Sequence, residues 1–320
     1  MSRPEWPVKG ITIRRTGCRN GSMPGCASSA ANGLGQPPRE LICDPTLGVM
    51  KLSVIVITKN EARNIGACMD SVGFASQWII VDSGSTDGTV GLARTAGAHV
   101  IETTDWPGFG PQKNRALAAA DGDWILSLDA DERITPTLRD EILAVIAAPQ
   151  HDAYALPRLS SFCGQFIRHS GWYPDHVVRL WRRGSGRFSD SLVHERVLVN
   201  GGKIGCLRSP IIHYSYRDDG DFLRKLEQYS ELGARQAFAA GKRGSLRKAF
   251  AHALSAFLRS FVFKRGFLDG RAGLIVALCA AETTYHKYFK LMLLTQSENG
   301  SVRDADVFEH ANTQRPSPPD

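Results

Sequence analysis

The sequence predicts an α/β fold, a mostly parallel sheet wound with helices, followed by a basic helical region. Three observations carry this. Between residues 50 and 135, short apolar runs rich in β-branched residues alternate with stretches of helical periodicity. The runs are continuous rather than alternating with polar residues, as suits strands covered on both faces. From Asp221 to Lys290 the spacing becomes helical and the charge positive, with 13 Lys/Arg against 5 Asp/Glu.

Residues 1–49 are rich in Gly, Pro, Ser and Arg and show little periodicity, the composition of a segment that need not fold. Met50 stands immediately before the first strong strand, so the expectation is a disordered or mis-assigned extension ahead of it. Leu-Ser-Val-Ile-Val-Ile, within Lys51 to Thr58, is a buried strand, and Lys59-Asn60-Glu61 is the turn after it. Ile65, Cys68, Met69 and Val72 fall at i, i+3, i+4 and i+7, which predicts a helix over Glu61 to Val72 with one apolar face. Trp78 to Val81 is a second strand running into Asp82-Ser83-Gly84-Ser85-Thr86-Asp87-Gly88. Thr89 to Ala96 is a short helix and Ala98 to Ile101 a third strand. After a Pro/Gly loop from Trp106 to Pro111, the Ala-rich segment Gln112 to Ala120 is helical. A fourth strand, Trp124-Ile125-Leu126-Ser127-Leu128, ends in Asp129-Ala130-Asp131, and Asp131 could cap a helix over Thr135 to Ile146.

With 320 residues, 42% hydrophobic and 22% charged, the chain has a soluble-type globular composition and room for one large domain and an appendage. The surplus of eight cations between Asp221 and Lys290 accounts for the whole formal net charge of +7. Such a region implies an anionic surface nearby, nucleic acid or phospholipid. No nucleic-acid motif accompanies the cations, so no nucleic-acid partner is expected. Phe250, Leu254, Phe257, Leu258, Phe261 and Val262 are interleaved with Arg247, Lys248, Arg259, Lys264 and Arg265. That spacing suits a helix lying in a membrane interface, and equally one packed on a domain. The seven cysteines are scattered without a Cys-x-x-Cys pair, which argues against a disulfide framework or zinc site and fits a reducing cytoplasm. No apolar stretch reaches the roughly 20 residues of a membrane span, and the N-terminus lacks the apolar core of a secretory signal.

Parallel pairing brings the loops after the first, second and fourth strands to one sheet edge, where open α/β sheets bind ligands. Those loops hold Thr58, Asn60 and Glu61, then Asp82, Ser85 and Asp87, then Asp129, Ala130 and Asp131. Two carboxylates separated by one small residue can share a divalent cation or divide the work between a ligand hydroxyl and a metal on a diphosphate. The first loop has no Gly-x-Gly-x-x-Gly, which disfavours NAD or FAD, and no Gly-x-x-x-x-Gly-Lys-Ser/Thr loop appears, which disfavours an ATPase. A phosphohydrolase would be expected to place its Asp-x-Asp after the first strand rather than the fourth.

Thr58-Lys59-Asn60-Glu61, Val81-Asp82-Ser83-Gly84-Ser85-Thr86-Asp87-Gly88-Thr89, Gln112-Lys113-Asn114 and Leu128-Asp129-Ala130-Asp131-Glu132 together resemble glycosyltransferase family 2, and within it the bacterial lipopolysaccharide core β-glucosyltransferases. The likeness continues through Gly171-Trp172-Tyr173-Pro174-Asp175, Arg179-Leu180-Trp181-Arg182-Arg183, Phe188-Ser189-Asp190, Leu192-Val193-His194-Glu195 and His213-Tyr214-Ser215-Tyr216, over about residues 50–295. It implies a GT-A domain over 50–220, with a nucleotide-sugar half at 50–135 and an acceptor half at 136–220. A basic amphipathic helical region at 221–295 and a disordered tail at 296–320 would follow. It further implies inverting transfer of a hexose, glucose from UDP-glucose, to a lipopolysaccharide inner-core or related lipid-linked saccharide, with Mg2+ or Mn2+. The enzyme would be cytoplasmic and peripheral on the inner membrane.

Carried over by position, Asp82 would contact the uracil or ribose, with Thr58, Asn60, Glu61, Ser85 and Asp87 around it. Asp129 and Ala130 would adjoin the ribose and sugar, and Asp131 would hold the metal. Lys113 is a diphosphate or uridine contact, or a solvated lysine. An inverting transfer needs a general base for the acceptor hydroxyl. Asp175, Asp190, His194 and Glu195 are the candidates, with Glu195 favoured and Asp190 second. His194 and His213 could equally be core histidines, Trp172, Tyr173 and Trp181 could stack on sugars or fill the core, and Arg179, Arg182 and Arg183 could meet phosphates or solvent. The competing functions are transfer of another sugar to a non-lipopolysaccharide acceptor, nucleotidyl transfer, and non-catalytic binding of a sugar nucleotide at a membrane. Nucleotidyl transfer would need a glycine-rich basic loop after the first strand, which this chain lacks.

Overall fold

The computed structural model describes residues 50–189, 195–217 and 219–298; the extension 1–49, Asp190, His194 and the tail beyond 298 lie outside them. The apolar runs become β1 (Leu52–Thr58), β2 (Gln77–Asp82), β3 (His99–Glu102) and β4 (Trp124–Asp129), joined through α1 (Ala62–Ser71), α2 (Thr89–Thr95) and α3 (Phe109–Ala118). β1 pairs in parallel with both β2 and β4, and β2 with β3. Its side chains divide by strand period. Leu52, Val54 and Val56 join a cluster with Ile65, Cys68 and Met69 of α1, while Ile55 joins the opposite one with Ala116 of α3. Both faces are therefore covered, which is why these strands read as unbroken apolar runs.

Two sequence expectations shift. α3 begins at Phe109 rather than Gln112, taking Pro111 into its first turn. There the missing proline N–H costs nothing, because first-turn N–H groups have no intrahelical partner. The helix after β4, α4 (Pro136–Ala147), is capped by Thr135, whose Oγ1 accepts from Leu138 N at 3.2 Å, and not by Asp131.

Beyond α4 the sheet becomes mixed. β8 (Asp175–Arg182) runs antiparallel between β4 and β6 (Ala153–Phe162), and β12 (Ile211–Tyr216) lies parallel to β6. β5 (Glu132–Ile134) closes the path antiparallel to β12. Smaller strands complete this part: β7 (Gln165–Phe166) and β11 (Ile204–Cys206) on β6, and the pair β9 (Gly186–Phe188) and β10 (Val197–Val199). The chain then turns helical, with α5 (Asp219–Ala239), α6 (Leu246–Leu258), a π turn at Arg259–Phe263, a 3-10 turn at Gly266–Asp269, and α7 (Gly270–Glu298). α7 thus carries ordered helix three residues into the expected tail. Phe162 and Ile167 pack with Phe222 and Leu226 of α5 and Val276 of α7, tying the helices to the sheet. Among the described residues no helix is long and apolar enough to cross a membrane.

Candidate active site

The register of β1 sets Thr58 opposite Asp82 and Ile57 opposite Asp129, so three strand ends share one edge. The first two ends are laced together. Thr58 Oγ1 donates to Asp82 Oδ2 (2.7 Å), Ser85 N to Asp82 Oδ1 (2.7 Å) and Ser85 Oγ to Asp82 Oδ2 (2.5 Å). Asp82 is wholly buried, and these three donors satisfy its carboxylate. Asn60 sits at φ 56°, a left-handed conformation that asparagine tolerates. Its N–H donates to Ser85 Oγ and its Oδ1 accepts from Thr86 N, both at 2.8 Å. Asp87 accepts from Ala62 N (3.2 Å), Thr89 N (3.0 Å) and the Thr89 hydroxyl, binding the starts of α1 and α2. The hydroxyl bond above all lowers the Asp87 carboxyl below its ordinary range. Thr58, Asn60, Asp82, Ser85 and Asp87 therefore hold two loops in one shape.

At the third strand end, charges alternate in an unbroken series. Lys113 Nζ lies 2.8 Å from Glu195 Oε1 and 2.9 Å from Asp129 Oδ1. Arg179 Nη2 bonds Asp129 Oδ2 and stands 2.7 Å from Glu132 Oε1. Arg158 continues the series, with Nη1 3.7 Å from Glu132 Oε1 and Nη2 2.6 Å from Asp175 Oδ2. Lys113 is 3% exposed and Glu132 0%, so these charges persist only because each has a partner. Burial alone would raise the Asp129 carboxyl, but Arg179 and Lys113 outweigh it and hold it well below the usual carboxylate range. Burial likewise works against the Arg179 cation, and Asp129 and Glu132 overcome it, raising the guanidinium above its ordinary value.

Asp131 occupies the turn between β4 and β5. Its backbone oxygen accepts from Tyr214 N (3.0 Å), and His213 Nε2 is 3.4 Å from its Oδ2. β12 is hydrogen-bonded on both sides, setting His213 opposite Glu132 and opposite Ser160, whose Oγ is 2.9 Å from His213 Nδ1. In the tautomer whose Nδ1–H donates to Ser160 Oγ, Nε2 keeps its lone pair and can ligate. A carboxylate oxygen beside an imidazole nitrogen fits a divalent cation whose remaining ligands come from substrate oxygens and water. Among the described residues no cluster of three or more His, Cys, Asp or Glu could hold a metal by protein alone. Glu61 faces the same space; burial raises its carboxyl, the Asn64 amide lowers it, and the nearby Asp131 charge raises it further.

The sequence profile of glycosyl transferase family 2 matches residues 53–209. A glycosyltransferase of Rickettsia typhi, otherwise uncharacterized, is 30% identical over 257 residues, 77% of this chain and 88% of its own. The chain belongs to glycosyltransferase family 2. The lipopolysaccharide core biosynthesis glycosyltransferase LpsC of Rhizobium meliloti is 29% identical over 258 residues, 75% of this chain and 93% of its own. Glucosyl-3-phosphoglycerate synthase of Mycobacterium tuberculosis is 35% identical over 172 residues, 50% of this chain and 51% of its own. That synthase is solved with Mn2+, UDP and glucosyl-3-phosphoglycerate; its structure covers 36% of this chain and 45% of its own, at 26% identity and a TM-score of 0.30.

In this glycosyltransferase, the side chains whose surroundings the sequence left open divide among the core, the charge series and the surface. Lys113 is enclosed, bridging Asp129 and Glu195 rather than facing solvent. Ala130 is buried and lends its carbonyl to Arg133 Nη1 (2.8 Å). Arg179 is buried in the charge series, and Trp181 is core. Trp172 meets Phe162 edge-on and lies tilted against Tyr216, and Arg182 pairs with Asp152 (3.6 Å). Glu195 and Asp175 stand at opposite ends of the charge series.

Glu132, Arg158, Ser160 and Lys225 escaped the sequence reading. Glu132 had a signal, being the third acid of the Asp129 to Glu132 run. Arg158, Ser160 and Lys225 had none, because only sheet pairing and helix packing bring them to the site. Lys225 Nζ donates to Ser215 O (2.8 Å) and lies 4.3 Å from the Tyr216 ring centroid. Burial lowers the Lys225 pKa, opposed by the charges of Asp131, Asp221 and Glu61.

Proposed function

We propose that the chain transfers a hexose, glucose from UDP-glucose, with inversion onto a lipopolysaccharide inner-core or related lipid-linked saccharide, as a peripheral protein at the cytoplasmic face of the inner membrane. The observation that carries this reading is the Lys113 bridge: one ammonium joins Asp129 of the nucleotide half to Glu195 of the acceptor half. The donor's reacting carbon and the acceptor hydroxyl would meet beside it. The relatives named for lipopolysaccharide core synthesis and for glucosyl transfer support the acceptor and the sugar.

Glu195 is the general base. It takes the proton of the acceptor hydroxyl as that oxygen bonds to the anomeric carbon, and the bond to the diphosphate oxygen breaks, UDP leaving with the electron pair. Lys113 fixes the position of Glu195. The laced loops of Asn60 and Asp82 shape the uridine pocket. Asp131 and His213 would hold Mg2+ or Mn2+, which when bound neutralises the charge developing on the diphosphate. Lys225, with its ammonium toward the same acids, adds a second positive charge for the leaving group.

The test is nucleotide release by the purified chain from UDP-, GDP- and dTDP-sugars with Mg2+ or Mn2+, with and without core lipid. UDP-glucose with core lipid is expected to turn over fastest. No release from any donor would sink the proposal. Glu195→Gln should slow turnover by about 10²–10⁴-fold with donor affinity kept; if Asp190→Asn does so instead, the base is Asp190.

A further inference from the structure

The helix α6 packs its Ala249, Ala253, Ala256 and Phe257 side toward the rest of the fold, with Ala249 fully buried. Beside that stripe, one helical turn apart, Phe250 and Leu254 are each 60% exposed and Leu258 follows. Phe263, at the end of the π turn, is 79% exposed. Leu254, Leu258 and Phe263 line one shallow depression together with Ala251, Ser255 and Arg259. A soluble fold rarely leaves adjoining large apolar side chains this open without a partner. Around them the charge has one sign. From Leu246 to Gly270 stand Arg247, Lys248, Arg259, Lys264 and Arg265, all exposed, against a single acid, Asp269, which already bonds His169 N and Nδ1.

We propose that this face of α6 and the π turn is the surface by which the enzyme lies in a membrane containing anionic phospholipid, with Leu254, Leu258 and Phe263 in the acyl boundary and Arg259, Lys264 and Arg265 on the phosphates. The inference rests on the proposed function only in that the acceptor there is lipid-borne. The charge decides the occupant. A second copy docked through the same face would set these five cations against their own kind, whereas an anionic bilayer answers both the apolar stripe and its basic rim.

The test uses the full chain sedimented with vesicles, in the absence of donor and acceptor, so that its outcome is independent of the catalytic proposal. Binding is expected to vesicles containing phosphatidylglycerol and to be much weaker to pure phosphatidylcholine. Arg259→Gln/Lys264→Gln/Arg265→Gln should lower binding to the anionic vesicles by about a hundredfold, at roughly fivefold per cation. Leu254→Gln/Phe263→Gln should remove the part of the binding that survives high salt. Both variants should keep the wild-type circular dichroism and wild-type nucleotide release with a detergent-dispersed acceptor. Equal sedimentation with both vesicle types, or none with either, overturns the proposal. So does light scattering that finds a dimer which Leu254→Gln/Phe263→Gln dissociates, since the face would then be occupied by a second copy.

Discussion

Arg179→Met tests whether the buried charge series holds the site together. The substitution keeps most of the side-chain volume and removes the guanidinium that Asp129 and Glu132 share. Glu132 is left wholly enclosed, with Oε2 on Asp129 N–H at 3.0 Å and Oε1 no closer than 3.7 Å to Arg158 Nη1. Breaking a buried pair in this way costs about 3–5 kcal/mol. An exposed pair such as Arg94–Glu102 is worth no more than about 1 kcal/mol. Urea unfolding should therefore show a lowered midpoint at unchanged slope. Adding Glu132→Gln discharges the stranded carboxylate and keeps an acceptor for Asp129 N–H, so the double variant should recover more than half of the loss. A single-variant cost below about 1 kcal/mol, or no recovery in the double, refutes the argument that pairing is what makes these charges tolerable.

His213→Ala should weaken the apparent metal affinity by about tenfold or more, and Ser160→Ala by less, read from metal titrations of turnover and of nucleotide binding. Lys225→Met should raise the donor KM and lower kcat with little change in Tm; an unchanged KM would remove Lys225 from the donor site. Gly110→Ala would put a Cβ 1.9 Å from Ser189 O and 3.6 Å from Glu195 Cβ. It should cost about 1–3 kcal/mol and depress turnover more than donor affinity, because the segment carrying Glu195 must move. The Asp129 carboxyl is depressed in the folded chain, so its stabilisation is complete above the unfolded value of about 3.9 and is lost as pH falls through the lower folded value. Asp129→Asn should flatten the acid limb of Tm measured between about pH 2 and pH 6.

The nucleotide half was legible in the sequence because its signals are local. Burial on both faces writes a strand such as Leu52–Thr58 as a continuous apolar run, and parallel pairing sends its end to the same edge as Asp82 and Asp129. Helix periodicity placed α1 within a residue at each end, since the apolar face that must be buried repeats every three to four residues. The start of α3 was misjudged because proline reads as a breaker from sequence, while a helix tolerates it in the first turn.

What the sequence determined by itself is the sheet edge, its acids and the family they belong to. Tertiary structure decided which partners those acids take. Asp82 turned out to be enclosed by Thr58 and Ser85, and Lys113 to bridge Asp129 and Glu195 across 82 residues of chain. His213 stands beside Asp131 because β12 is inserted between β5 and β6. Pairings over such separations leave no periodic trace in the sequence. Residue types announce that a charge is present, and only packing chooses its partner.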